Sequence, residues 1–295
     1  MNGLLNILKP PGMTSHDVVT YVRNLLGTKV GHTGTLDPGA AGVLVITLGN
    51  ATKFTEYLMN HKKKYRAEIK LGYKTDTQDK FGKIISKAEI RDISMNKIEI
   101  VLNRYIGEIL QKPPQYSAIK YKGKKLYELA RKGEYIDIPP RKVTIYSVKL
   151  VEYMPPDRLL FDVECSKGTY IRTLCNDIGE DLGCFGYMSF LLRTQVGPFN
   201  IFDSITLEEL STFFEQGILA KKIYPVDYAF LSLPKVYLDY SEYESLRKFG
   251  SIKLTNYIHN NLVAIYLKNG YFVGLGEFIG NENLKIVKKW HMEEN

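Results

Sequence analysis

Between Gly31 and Leu48 the chain reads Gly-His-Thr-Gly-Thr-Leu-Asp-Pro-Gly-Ala-Ala-Gly and then Val-Leu-Val-Ile-Thr-Leu. A segment this dense in glycine has little tendency to hold a helix or a strand, whereas the apolar run after it suits a buried strand. Any fold of this chain must therefore run an irregular loop straight into its core. Glycines at 31, 34, 39 and 42 let the backbone take positive φ and let another group approach closely. Pro38 fixes its own φ and biases Asp37 toward an extended conformation, which narrows where the carboxylate points. Taken alone, Asp-Pro within a glycine run is also ordinary turn material. A single carboxylate aimed by its backbone into a glycine-lined opening fits a nucleophile or a base.

Elsewhere helical and strand periodicities alternate. Thr14 with Asp17 forms a capping box, Val18, Tyr21, Val22 and Leu25 share one face, and Gly27 stops the segment, predicting a helix over 14–27. Asn50 is placed to cap a second helix carrying Phe54, Tyr57 and Leu58. Residues 65–73 put Tyr65, Ala67, Ile69, Leu71 and Tyr73 on one face and Arg66, Glu68 and Lys70 on the other, as a half-buried strand does. Ser94 starts a helix with Ile98, Val101, Leu102 and Tyr105 at helical spacing. A strand over 159–165 leads to a helix marked by Ile171, Leu174, Ile178 and Leu182 and closed by Gly183. Thr206 with Glu209, and Ser241 with Glu244, read as further capping boxes.

Residues 111–142 are rich in proline, lysine and tyrosine, with a short helical piece near Leu126–Lys132, and read as an inserted arm that contacts a partner. Strands with helices inserted between them predict an α+β fold, a mixed sheet surrounded by helices. After Pro234 the texture changes to β-like runs at 262–267, 271–279 and 284–288, separated or interrupted by Gly270, Gly274, Gly276 and Gly280. Two domains are expected, over 1–233 and 234–295.

Forty Lys and Arg against 32 Asp and Glu leave a net charge of +8, which favours a polyanionic partner. Basic clusters lie at Lys62–Lys64, Lys120–Lys125 and Arg141–Lys142. Tyrosines, 21 in all, interleave with these lysines, and proteins hold unpaired RNA by stacking bases on aromatics beside basic groups. Cys165, Cys175 and Cys184 form no C-x-x-C pair and the histidines show no i, i+4 pair, so neither a disulfide framework nor a metal centre is expected. The start of the chain lacks the basic segment and long apolar core of a secretory leader, and a cytoplasmic location is expected.

Five segments, in order, carry a more specific signal. They are Lys9-Pro10-Pro11-Gly12-Met13-Thr14-Ser15, then the Asp37 loop, then Lys63-Lys64-Tyr65-Arg66-Ala67 with Thr75-Asp76-Thr77-Gln78-Asp79 and Gly82 behind it. Pro113-Pro114-Gln115-Tyr116-Ser117-Ala118-Ile119-Lys120 and Cys165-Ser166-Lys167-Gly168-Thr169-Tyr170-Ile171-Arg172 complete the set. Together they resemble the TruB family of tRNA pseudouridine synthases. Ala41, where many relatives carry a hydroxyl residue, and Thr33, where others carry glycine, depart from the pattern.

The resemblance implies isomerisation of one uridine in the T loop of tRNA, tRNA position 55, to pseudouridine. It implies no cofactor, metal, guide RNA or membrane, and a monomer. Asp37 maps onto the essential aspartate, and whether it adds to the base or attacks the sugar stays open. Arg172 maps onto the arginine paired with it, Tyr65 onto the tyrosine stacked on the target base, and Tyr170 onto a second pocket tyrosine. Lys9 falls in a supporting position, and Leu192 with Arg193 falls where the family lines its pocket. His32 maps onto the residue that fills the gap left when the uridine leaves the stack, and extrusion of that nucleotide is required because the reacting atoms lie inside a folded loop. The C-terminal part, with Tyr266–Glu277 its most telling run, resembles a PUA domain, an RNA-binding β module. The rival reading is a non-catalytic tRNA-folding chaperone working through the same surface. A phosphoryl-transfer reading of Asp37 would call for further metal-binding carboxylates, and the loop offers none nearby.

Overall fold

The computed structural model describes residues 1–91, 93–254, 262–280 and 282–290. Residues 255–261, 281 and 291–295 of the expected second domain lie outside the described residues. The main sheet has nine strands, and its central path runs Gly3–Lys9, Ala41–Leu48, Gly186–Val196, Lys63–Leu71, Arg158–Cys165, Arg141–Met154, Gly107–Gln111. Every pairing along it is antiparallel except one. Ala41–Leu48 and Gly186–Val196 meet in parallel over two residue pairs, Leu192 with Ala41 and Arg193 with Gly42. The sheet is thus two antiparallel halves joined by a short seam.

The alternation around Tyr65 builds the larger half. Lys63, Tyr65, Ala67, Ile69 and Leu71 are buried on one face, and the strand ends at Leu71 instead of continuing to 73. Tyr73–Thr75 belongs to a separate hairpin with Ile84–Lys87, because the Gly72 N–H turns away to the carbonyl of Cys184 at 3.1 Å. On that buried face pack the helices Met95–Arg104, through Ile98, Val101 and Leu102, and Ile171–Asp181, through Ile171, Leu174, Cys175 and Ile178. The smaller half packs against helices Ser15–Leu26 and Leu207–Glu215. Both begin in the expected capping boxes, Thr14 with Asp17 and Thr206 with Glu209. Val19 takes the buried position expected of Tyr21, whose hydroxyl instead meets Ser211 Oγ at 2.6 Å.

Two expected caps sit elsewhere. Asn50 caps nothing: it lies inside a 3₁₀ turn, Gly49–Phe54, its N–H held by Asn2 Oδ1 at 2.8 Å. The helix Tyr240–Phe249 is capped by Asp239 with Glu242, two residues before the Ser241–Glu244 pair, and Ser241 donates to Asp239 Oδ1 at 2.8 Å. Asp and Ser are both strong caps and both stand three residues before a glutamate here, so the motif alone is degenerate.

The arm leaves the sheet after Gln111 and re-enters at Arg141, the two residues paired at its neck. It holds the hairpin Lys120–Tyr121/Lys124–Lys125, the helix Leu126–Ala130 and a small core of Leu126, Leu129 and Ile138. The five strands Lys235–Leu238, Val263–Leu267, Phe272–Ile279, Asn283–Lys289 and Ser251–Lys253, in that spatial order, form the C-terminal sheet. Its Ala264, Tyr266, Phe272 and Leu275 share one buried cluster with Val43, Val45, Phe54 and Phe199 of the main part. Phe54 is the keystone. Its ring lies 6.0 Å from Phe230, 6.1 Å from Phe272 and 5.8 Å from Trp290, the only tryptophan of the chain. Phe54→Ala is expected to cost about 3–5 kcal/mol of unfolding free energy. Denaturant titration followed by Trp290 fluorescence checks this, and the folded variant should show emission shifted to the red.

Candidate active site

Residues 33–40 connect the strand Val30–His32 to Ala41–Leu48 and so emerge at the parallel seam of the sheet. A row of three residues crosses the strands there, Gly42 beside Arg193 and Arg193 beside Tyr65. Only glycine fits at 42, where φ is +118° and a Cβ would collide with the Arg193 backbone.

An irregular loop at a core edge must find donors for its carbonyls. Arg193, 2% exposed, donates from Nε to Val43 O at 2.7 Å, from Nη2 to Gly34 O at 3.0 Å and from Nη1 to Thr35 O at 3.4 Å. Lys9, fully buried, donates from Nζ to Ala40 O at 2.7 Å, Pro10 O at 2.8 Å and Pro38 O at 3.4 Å. Ser15 Oγ accepts from Leu36 N–H at 2.8 Å and donates to Leu36 O at 3.2 Å. Two cations and a hydroxyl thus hold the loop on both sides of Asp37.

Asp37 itself faces Arg172. Arg172 Nε lies 2.9 Å from Asp37 Oδ2 and Nη2 lies 3.3 Å from Oδ1, a two-point pair in which the arginine is 5% exposed and the carboxylate 38%. The helix Ile171–Asp181 presents Arg172 from its first turn, where the helix dipole gives a cation no support. The support comes from acceptors instead: Tyr116 O at 2.9 Å, Thr77 O at 3.2 Å and Asp79 Oδ2 at 3.8 Å. Arg172 therefore ties together the loop, the turn over 77–79 and the base of the arm. Spacing in the sequence gives no signal for the Tyr116 and Thr77 carbonyls, since any residue type supplies one.

Tyr65 is buried opposite Arg193, and burial pushes its phenol pKa up, leaving it neutral. Tyr170 precedes the Arg172 helix and is clamped by Gln111, whose side chain accepts from its N–H at 2.8 Å and donates to its carbonyl at 3.0 Å. Burial raises the Tyr170 phenol as well. The charge of Asp37 reaches both phenols. His32 is half-buried, its Nδ1 accepting from Gly34 N–H at 3.3 Å. Burial first, then the charge of Arg193, lowers its pKa and favours the neutral ring. Leu192 is the one expected residue the strand turns away. It pairs with Arg66, whereas Leu191, paired with Ala67, and Arg193, paired with Tyr65, share the face of the site. Leu191 lies in the same buried cluster as Tyr65, Leu36 and Ala40. Two adjacent leucines fit either phase of a strand, so the sequence alone does not choose between them.

The basic clusters differ in fate. Lys63 turns inward and donates to Met59 O at 2.6 Å and His61 O at 2.7 Å, while Lys62 and Lys64 flank Glu164 at 3.9 and 3.8 Å. Lys142 meets Glu108 at 3.0 Å. Among the described residues, Lys120, Lys122, Lys124 and Lys125 of the arm hairpin have no carboxylate within 4.0 Å. Nor does any group of three or more His, Cys, Asp or Glu side chains come together there as a metal site would require.

A sequence model described as TruB family pseudouridylate synthase (N terminal domain) matches residues 23–171, and one described as tRNA pseudouridylate synthase B C-terminal domain matches 172–231. The chain belongs to the TruB family of pseudouridylate synthases. It is 51% identical over 277 residues to tRNA pseudouridine synthase B of Caldanaerobacter subterraneus subsp. tengcongensis, covering 94% of this chain and 95% of that one. Against the protein of that name from Clostridioides difficile the identity is 44% over 297 residues, covering 98% of both. Among solved structures the fold is similar to a chain of an H/ACA RNP bound to a substrate RNA containing 2′-deoxyuridine, with a TM-score of 0.75, 28% identity, and coverage of 99% of this chain and 86% of that one. A chain of a Cbf5-Nop10-Gar1 complex gives a TM-score of 0.76 at 29% identity, covering 98% of this chain and 84% of that one. The TruB family division at 171/172 runs through a single sheet here, since Gly186–Val196 lies at its centre, and it separates Asp37 from Arg172.

Burial, and then the charge of Arg193, lowers the Lys9 pKa from 10.5 to about 8. With the folded value below the unfolded one, the unfolded chain holds the extra proton between pH 8 and 10.5, and the Lys9 contribution to stability rises as pH rises through that window. Denaturation of wild type and Lys9→Met side by side checks this. The stability difference between them should move in favour of wild type from about pH 7.5 to about pH 10.

Proposed function

We propose that this chain converts the uridine at position 55 in the T loop of tRNA to pseudouridine, with Asp37 as the nucleophile. The observation that carries the reading is the two-point Asp37–Arg172 pair, held at the surface end of a loop whose backbone is fixed by buried cations. In the reaction the C1′–N1 bond breaks and the uracil turns until C5 faces C1′. A C1′–C5 bond forms, C5 loses its proton and N1 gains one, so composition and oxidation state are unchanged. Asp37 opens the glycosidic bond, by attack on the sugar or by addition to the base, and Arg172 aims both of its oxygens.

Lys9, Lys63 and Arg193 are buried with carbonyl partners and no carboxylate within 4.0 Å among the described residues. Their charge favours a polyanion at the site and stabilises negative charge that develops on the detached base. Tyr65 supplies a neutral ring for the flipped uracil, with Leu191 and Tyr170 as its neighbours in the pocket. His32 fills the space the uridine vacates, and together these contacts offset an unstacking cost of about a few kcal/mol. We assign residues 1–233 to the catalytic unit and 234–295 to a PUA-like RNA-binding unit. On this reading the chain acts as a cytoplasmic monomer without a guide RNA.

Tritium release from tRNA, or from its T-arm hairpin, labelled at C5 of uridine tests the reading. Wild type should release label in the presence of a chelator, and Asp37→Asn should lose turnover by on the order of 10⁴-fold or more. Binding of tRNA by Asp37→Asn should stay within about threefold, because a carboxylate contributes little to holding a polyanion. Release by Asp37→Asn at the wild-type rate would refute the assignment. Affinity for tRNA should also fall steeply with salt. Replacing Lys120, Lys122, Lys124 and Lys125 by Ala should flatten the slope of log K against log salt by about 0.7–0.9 for each phosphate that is no longer neutralised.

A further inference from the structure

The turn that supplies Thr77 and Asp79 to Arg172 also presents an aromatic ring to solvent. Phe81 is 69% exposed, yet the backbone around it is tightly built. Asp79 Oδ1 accepts from Phe81 N–H at 3.0 Å and from Thr77 Oγ1 at 2.6 Å. Asp76 Oδ1 accepts from Lys83 N–H at 2.8 Å, and Gly82 sits so close to Thr77 that a Cβ there would collide with it. Gln78 adopts φ +62°, a left-handed conformation unusual for its type, and is anchored by Thr173 Oγ1 at 2.9 Å. A large apolar side chain left in water gains nothing from so fixed a backbone unless something covers it.

Position matters more than exposure. The edge of the Phe81 ring lies over Gly39, two residues past Asp37, and a Cβ at 39 would collide with it. The ring thus stands at the rim of the opening that holds the reacting carboxylate. Lys80 Nζ lies 5.4 Å from its centroid, and neither Lys80 nor Lys83 has a carboxylate within 4.0 Å among the described residues. An exposed aromatic face flanked by unpaired cations is the arrangement that holds a single-stranded nucleotide, base on ring and phosphate on ammonium.

We propose that Phe81 is a stacking surface for a nucleobase next to the reacting uridine in the RNA substrate. Drawing the target uridine out of the loop removes a stacking partner from its neighbours, and Phe81 replaces that partner at the rim. The proposal rests on the reading that this chain acts on RNA, and it assigns Phe81 to substrate binding only.

Steady-state kinetics and hairpin binding of Phe81→Ala, Phe81→Leu and Phe81→Trp test it. Leu keeps an apolar cover over Gly39 but has no π-face, whereas Trp keeps both. Stacking predicts that Ala and Leu raise KM and the hairpin Kd by roughly five- to a hundredfold, with the loss falling on KM and not on kcat, and that Trp stays near wild type. A second substrate, with an abasic site on one or the other side of the target uridine, should abolish the difference between wild type and Phe81→Ala at one of the two positions. If Leu binds as well as wild type, or if the loss falls on kcat, the ring is packing for the Asp37 loop and the proposal fails. Thermal melting of each variant separates loss of fold from loss of stacking. Were wild type to bind the hairpin without converting it, the assignment of the reaction would fail while the Kd series still decided the role of Phe81.

Discussion

Burial of two cations beneath an irregular loop is the constraint on which the rest of the site depends. The segment 33–40 has no strand partner for most of its carbonyls, and Arg193 and Lys9 take their place as donors. Removing an ammonium or a guanidinium from water is expensive, and carbonyl dipoles compensate less completely than a carboxylate would. That the fold keeps both charges buried without ion pairs means the surplus positive charge stays at the site. A carboxylate placed inside it is strongly oriented, and a polyanionic substrate is drawn toward it. The same cations therefore fix the backbone and set the local potential.

The second dependence runs through Arg172. Its guanidinium directs two nitrogens to Asp37 and still reaches the turn over 77–79 and the carbonyl of Tyr116 at the root of the arm. Five donors in one plane make this possible, and an ammonium at the same place could not reproduce it. Because the arm joins the sheet only through its neck at Gln111 and Arg141, and because Gln111 also clamps Tyr170, the arm cannot shift without disturbing the residues that aim Asp37.

Local signals in the sequence carry well where chemistry is local. The capping boxes at Thr14 and Thr206, the alternation from Tyr65 to Leu71, and the arm between Gln111 and Arg141 all follow from residues a few positions apart. Legibility fails where the deciding partner is distant. The N–H of Asn50 answers to Asn2, the choice between Leu191 and Leu192 is set by pairing with the strand Lys63–Leu71, and Lys63 is buried despite standing in a run of lysines. For the site, residue types point to Asp37, and resemblance supplies Arg172 and its pairing with Asp37. Resemblance marks the positions of Arg193 and Lys9, but by residue type alone they look like ordinary basic residues, and most of the carbonyls they serve are distant in sequence.

The parallel seam explains why the site lies where it does. Two antiparallel half-sheets can share hydrogen bonds over a long seam only if their twists agree, and here they meet over two residue pairs before diverging. The pairs involve the first two residues of Ala41–Leu48, so the loop before Ala41 emerges directly at the seam. Gly42 lets the Arg193 backbone come close enough to close the seam, which in turn puts the Arg193 side chain under the loop and beside Tyr65. A side chain at 42 would push the halves apart and carry Arg193 away from the carbonyls of Gly34 and Thr35. Asp37 would then lose the backbone that aims it, although nothing within the carboxylate–guanidinium pair had changed.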